Sequence, residues 1–226
     1  MEVIKEFKER YEKLMEEDVD LALEYALDSF KTIGNADILV YIGEALMSNE
    51  DFEGANEAID NALSENCEDK LLAYSLKGEA LFYLDKYKES RDSFNEVIKQ
   101  DVNSFFATVY LVDIDIVEGK YLDGIIKIDT ILNSKTLNSE DTAFMQTKKG
   151  WIMFKYLEKQ EEAYNLFKGS ILKDKNCGTA YVGLGSYYLY KKNYEKSINN
   201  YEKALELGEG CSIVYEGLEK ARRKRG

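Results

Sequence analysis

Two aspartates one residue apart, Asp113 and Asp115, come nearest to a paired-carboxylate acid–base site in this sequence. On a helix, residues two apart point in different directions, so the pair does not converge on one substrate atom. The chain contains no histidine, which leaves general-base work to a carboxylate, lysine or cysteine with a strongly perturbed pKa. Cys67, Cys177 and Cys211 are widely spaced and form no CxxC pair. Without histidine the common zinc ligand sets are missing, and in an intracellular chain these cysteines are expected as free thiols. No glycine-rich dinucleotide loop, Walker loop or GxSxG elbow occurs. These residues predict no catalytic site, no metal and no cofactor.

With 45% hydrophobic and 12% aromatic residues the chain is predicted to fold, since it has enough apolar surface to offset its conformational entropy. No apolar run approaches the roughly 20 residues that span a bilayer, and the opening MEVIKEFKERYEKL lacks the apolar core of a signal peptide. A soluble cytoplasmic protein is expected. The formal net charge of −13, from 43 acidic and 30 basic residues, sets up a field that disfavours nucleic acid and anionic lipid. It favours basic partners, or serves solubility alone.

The elements that position these residues follow from a repeat. A small residue followed four positions later by an apolar or aromatic one recurs at Ala55/Ile59, Ser90/Phe94, Gly124/Ile128, Ala163/Phe167 and Ser197/Tyr201, with spacings of 35, 34, 39 and 34. Such a period marks an array of supersecondary units, each too small to bury its own apolar face. In the last unit Tyr181, Leu184, Gly185 and Tyr188 share one helical face, Asn193 suits a turn, and Tyr194, Ser197, Tyr201, Ala204 and Leu205 form a second stripe. Each repeat therefore reads as two antiparallel amphipathic helices. Residues 1–35 read as a further pair, with Asp18 capping its second helix and Gly34 closing it. VYLVDIDIVEGKY, from Val109 to Tyr121, alternates like a strand but sits between helical repeats, so a helix of low intrinsic propensity is expected.

The pattern resembles the tetratricopeptide repeat, which carries Leu-Gly at slots 7 and 8, an aromatic at 11, Ala, an aromatic and Ala at 20, 24 and 27, and Pro at 32. The resemblance implies an all-α, right-handed α-solenoid, a superhelix of stacked antiparallel helix pairs. It divides the chain into a degenerate helix pair at 1–35, five repeats at 36–69, 71–104, 105–138, 144–177 and 178–211, and a capping helix with a basic tail at 212–226. Residues 139–143 fall outside the repeats as an insertion. In repeat three Val112 stands where glycine is expected. In repeat four the eighth slot falls on Trp151 with Gly150 one residue early, which leaves that helix shifted or splayed. The chain has no proline at all.

In this family the inner face is built from slots 2, 5, 6, 9, 12 and 13 of each first helix. The resemblance thereby assigns a partner-binding groove. Slot 9 is Glu44, Glu79 and Asp113 in three successive repeats, and Tyr41, Phe82, Tyr83, Phe106 and Tyr110 stand beside it as apolar anchors. In repeat four the sign changes, with Lys148, Lys149 and Lys155 around Ile152. Chaperone-binding relatives hold a terminal carboxylate with lysine, asparagine and arginine at fixed slots. Here Val40, Glu44, Leu76, Phe106 and Tyr110 occupy those slots, and only Lys148 partly matches.

The expected function is a non-catalytic scaffold or adaptor that grips a protein or peptide segment through these apolar and charged positions. A self-associating homo-oligomer is the structural alternative. A nucleic-acid contact through Lys220, Arg222, Arg223, Lys224 and Arg225 is a third, against the acidic background. The plainest alternative for the groove charges is a solvated face, because exposed charges about a Debye length apart repel only weakly.

Overall fold

The computed structural model describes residues 2–225. Among these residues the chain forms thirteen α-helices and no strand. In order they are α1 (Glu2–Glu17), α2 (Val19–Ile33), α3 (Ala36–Ser48), α4 (Phe52–Ser64), α5 (Lys70–Tyr83), α6 (Tyr87–Gln100) and α7 (Phe105–Val117), followed by α8 (Tyr121–Ser134), α9 (Ser139–Lys155), α10 (Gln160–Lys173), α11 (Gly178–Tyr190), α12 (Tyr194–Glu206) and α13 (Ser212–Arg225). None is long and apolar enough to cross a membrane.

Helix starts follow from short polar side chains that satisfy first-turn amides. Asp18, Asn35, Asp51, Asp69, Asn138 and Asn193 each accept from a backbone N–H two or three residues on. Gly34, at φ 65°, ends α2 in the left-handed region, where a residue with a Cβ is strained.

The turn inside a helix pair is built the same way several times. Its left-handed residue is Glu50, Asp85, Gly119 or Lys192, at φ between 57° and 73°. The following amide then reaches back five residues: Asp51 to Leu46 O, Lys86 to Leu81 O, Lys120 to Asp115 O and Asn193 to Tyr188 O, at 2.7–2.9 Å. This is the hydrogen bond of a Schellman end. Between α9 and α10 the equivalent bond runs from Lys159 to Met153 O, six residues back, around Glu158 at φ 54°. One extra residue sits in that turn.

Close approach of paired helices explains the small residues. A Cβ on Gly43 would come within 2.6 Å of Ile59, on Gly78 within 2.8 Å of Phe94, on Gly150 within 2.7 Å of Phe167, and on Gly185 within 2.6 Å of Tyr201. Two pairs are also latched: Ser90 Oγ donates to Gly78 O at 2.6 Å, and Ser197 Oγ to Gly185 O at 2.8 Å, both buried. Gly150, not Trp151, therefore occupies the helix-crossing position of its repeat. α9 is not splayed; the extra turn residue absorbs the offset, and residues 139–143 form its first helical turn.

The chain divides into two compact units, Met1–Ile114 and Asp115–Gly226. In the first, Phe7, Tyr11, Ala22 and Ala26 pack with Ile38, Tyr41, Ile42 and Ile59, and a second cluster joins Phe94 and Val97 to Ala107, Leu111 and Ile114. The strand-like run thus becomes helix α7 because Ala107, Leu111 and Ile114 fall on one helical face that buries itself against α6; packing overrides the β-branched preference. In the second unit, Met153, Ala163, Phe167 and Leu184 form one cluster, and Val182, Ile198, Tyr201, Val214 and Leu218 another. α13 covers α12 through Val214, Leu218 and Ala221. Cys67 and Cys177 are buried thiols and Cys211 is exposed.

Candidate partner-binding cleft

Every second helix is set against its partner, so in the first unit α3 and α5 bring Glu44, Met47, Ser48, Leu76, Glu79 and Tyr83 to a common cleft. Glu50 of the turn and Phe52 at the start of α4 complete it, and its volume is about 430 Å³. Phe52 and Tyr83 stack with ring centroids 4.7 Å apart and an interplanar angle of 18°. Tyr83 remains 51% exposed although it is a large aromatic. Three carboxylates line the cleft, and among the described lining residues there is no lysine or arginine.

The two helical carboxylates are held differently. Glu79 Oε1 accepts from the Tyr110 hydroxyl at 2.5 Å, which ties α5 to α7. Burial and this hydrogen bond push the Tyr110 phenol well above its usual range. Glu44 is partly buried, and desolvation raises its pKa above the ordinary carboxylate value, with the nearby Tyr11 hydroxyl opposing the shift and Glu12 adding repulsion. Tyr11 itself donates to Tyr41 O at 2.8 Å.

A raised folded-state pKa means that the folded chain binds the Glu44 proton more tightly than the unfolded chain. That stability is present below the ordinary carboxylate pKa and is lost as pH rises through the folded value. Glu44→Gln, which cannot ionise, should therefore melt higher than the unsubstituted chain at pH 7. The gap should close near about pH 4, where the glutamate is itself neutral. Thermal melts of both proteins at the two pH values check this, and a gap that widens toward low pH would contradict it.

Around Tyr110 the other aromatic positions form one continuous set. Phe82 meets Tyr110 edge-on at 5.2 Å, Phe106 lies 5.0 Å from it, and Phe94 stacks on it at 5.0 Å. Phe106 is 40% exposed, while Phe82 and Tyr110 are half-buried. Asp113 follows Tyr110 by one helical turn and is half-buried.

Tyr41 does not stand with the exposed anchors. It is 8% exposed, packed edge-on against Phe7 and Tyr11 at 5.5 and 5.1 Å, with the Lys8 ammonium over its ring. α1 covers the slot that an inner-face reading leaves open. In the second unit Ile152 is fully buried, and Lys149 pairs with Asp129 of α8 at 2.6 Å. Both displacements have one cause. With Gly150 at the crossing, the inner-face slots of α9 move back one residue, to Phe144, Thr147, Lys148, Trp151, Phe154 and Lys155. Lys148 and Lys155 keep places there, with ammonium groups over Phe144 at 5.4 Å and Trp151 at 4.9 Å.

Glu50 and Phe52 are cleft residues that slot reasoning does not find, because they belong to the turn and the second helix. The signal for the α9 register was present in the sequence: the crossing glycine precedes its small partner by 12 residues in Gly43/Ala55, Gly78/Ser90 and Gly185/Ser197 but by 13 in Gly150/Ala163. The basic tail is partly engaged at home, since Arg222 pairs with Glu202 of α12 at 2.8 Å.

Residues 178–208 match the sequence profile of the tetratricopeptide repeat. No curated protein matches the chain by sequence. Its structure is similar to a chain of the APC/C hetero-tetramer Cut9-Hcn1, with a TM-score of 0.72 and 15% identity over 92% of this chain and 40% of that one. A tetratricopeptide repeat protein from Parabacteroides merdae gives a TM-score of 0.70 at 15% identity over 92% and 79% of the two chains. Yeast Tom70 gives 0.70 at 14% over 90% and 43%. The chain thus spans less than half the length of the Cut9-Hcn1 and Tom70 chains it matches. The fold is an all-α helical-repeat solenoid.

Proposed function

We propose that the chain is a non-catalytic protein-interaction scaffold of the cytoplasm that holds a segment of a partner protein against the first helices of its pairs. The observation that carries this reading is the cleft between α3 and α5. Solvent-exposed Tyr83 and half-buried Phe52 form an aromatic wall there, over a Leu76 floor, between Glu44, Glu50 and Glu79. Aromatics left in water beside polar rims are characteristic of interface anchors, because burying them on association removes a large apolar area from water. Glu79 and Asp113 add electrostatic contacts for a basic segment, while Lys148 and Lys155 of the second unit present a surface of opposite sign. The fold supports the reading in a general way: a stack of helix pairs exposes an extended face with many independent positions.

A photo-reactive p-benzoylphenylalanine in place of Tyr83 tests it. In lysate of the source cells this variant should cross-link to a discrete partner, and the same group in place of exposed Asn95, on the second helix α6, should not. Equal cross-linking from both positions, or from Asn95 alone, would overturn the reading.

A further inference from the structure

We propose that the cleft between α3 and α5 is a pocket for one arginine side chain, presented by an extended segment of a partner protein; this rests on the scaffold reading above. The cleft offers the two things a guanidinium uses and a compact cation does not. Its wall is a pair of stacked rings, Phe52 on Tyr83 at 4.7 Å, and Tyr83 presents an exposed face. A guanidinium is planar and weakly hydrated, so it lies flat on such a face. Its N–H fork then matches a carboxylate at the edge, and Glu79 of α5 and Glu44 of α3 line the same cleft.

The alternatives fit less well. A hard divalent cation takes six or more oxygen ligands converging at short range, and among the described residues no group of three or more acidic, cysteine or histidine side chains is placed to hold one. An anion would meet three carboxylates. A purely apolar side chain would leave those carboxylates facing it with no charge to answer them. A lysine ammonium would pair with a carboxylate but holds its hydration shell and uses only a point of the aromatic surface.

The carboxylates are also set in advance. The hydroxyl of Tyr110 fixes Glu79 at 2.5 Å, so little rotamer freedom is left to lose when the fork closes on it. Glu44 carries its charge in a partly desolvated place, and an arriving cation relieves that unfavourable burial. The flanking Met47 and Leu76 leave room for the aliphatic stem of the arginine and for an apolar neighbour in the segment. Charge complementarity on the scale of the chain points the same way, toward a basic partner for a net charge of −13.

The probe is Nα-acetyl-L-arginine methylamide, titrated into the ¹⁵N-labelled full chain, with the isosteric, uncharged citrulline derivative as its comparison. Amide shifts should be confined to Glu44–Phe52 and Leu76–Tyr83, and citrulline should bind at least about tenfold more weakly, the loss of one charge-assisted fork. Glu79→Gln and Tyr83→Ala should each weaken arginine about tenfold, while Glu53→Gln, at an exposed position of α4, should leave it unchanged. Equal response to citrulline, shifts scattered over the acidic surface, or no shifts at all would overturn the pocket. If the same amides move with protein concentration before probe is added, the occupant is the basic helix of a second copy and the separate partner is overturned. Failure of the probe alongside a discrete cross-link from Tyr83 removes the arginine pocket and leaves the scaffold standing.

Discussion

Replacing Phe167 by alanine should destabilise the protein by about 3–5 kcal/mol, the range for deleting a fully buried aromatic ring. The ring is completely buried, and besides Trp151 and other side chains it meets helix backbone at two glycines. A Cβ on Gly150 of α9 would come within 2.7 Å of it, and one on Gly183 of α11 within 2.6 Å. Helix backbones cannot collapse into the vacated space without breaking their own packing, so the cavity persists and the cost lies toward the upper end. For a chain of this size the melting temperature should fall by roughly 10 °C. The converse change is also informative. Gly183→Ala should cost about 1–3 kcal/mol by overpacking. Much of that should be recovered when it is combined with Phe167→Leu, which shortens the ring that the new methyl meets. Urea unfolding of the single and double variants measures the coupling, and simple additivity would show that the glycine is not spaced by the ring.

Removing the amine from Lys127, by Lys127→Met, should cost about 3 kcal/mol, toward the low end for breaking a buried ion pair. Its ammonium lies 2.6 Å from Asp115 Oδ2, and the aspartate side chain is only 1% exposed while the lysine is 32% exposed. The penalty is asymmetric: the methionine stem packs as the lysine stem did, but the carboxylate keeps its charge without the ammonium of Lys127. Replacing both residues by leucine should therefore be milder than Lys127→Met alone, since well-packed apolar side chains exchange for a buried pair at little net change. Unfolding free energies of the three variants decide it. A double variant less stable than Lys127→Met would show that the pair contributes net stability beyond its own desolvation.

Asp115 also shows where residue patterns stop being informative. In sequence it stands beside Asp113 as half of an unconvincing catalytic pair. Folded, the two separate completely: Asp115 turns inward to a lysine on the next helix, while Asp113 stays half-buried on the first-helix face. Helical phase foretells that they diverge; only the fold says which one is buried and what answers its charge. The strand-like run around them is the opposite case, where local preference pointed one way and the repeat context the other. Context prevailed because α7 buries Ala107, Leu111 and Ile114 against α6, which a lone strand could not do.

The candidate site was legible in the same uneven way. Glu44 and Glu79 share one repeat slot and Tyr83 follows Glu79 by one helical turn, so their appearance on one cleft follows from the period. Tyr41 has an equally suitable slot, yet Phe7 and Tyr11 of the degenerate first pair cover it. A repeat pattern describes each unit against an average neighbour and carries no information about an atypical one. Lys149 and Ile152 were displaced by a single extra residue in the turn that follows α9, which rotates every α9 assignment counted back from α10 by 100°.

The sequence alone determined the all-α class, the helix pairs and the small residues at which they cross. Those rest on spacing along one chain, and the physics that reads them is local: helical periodicity, capping side chains and the exclusion of a Cβ where backbones touch. The tertiary structure decided the register of α9, the burial of Tyr41, the partner of Asp115, and the joining of Phe52 to Tyr83 as one wall. Each of these depends on which residues from separate helices come within a few ångströms, and that is set by how all the pairs pack together, with one turn residue enough to change it.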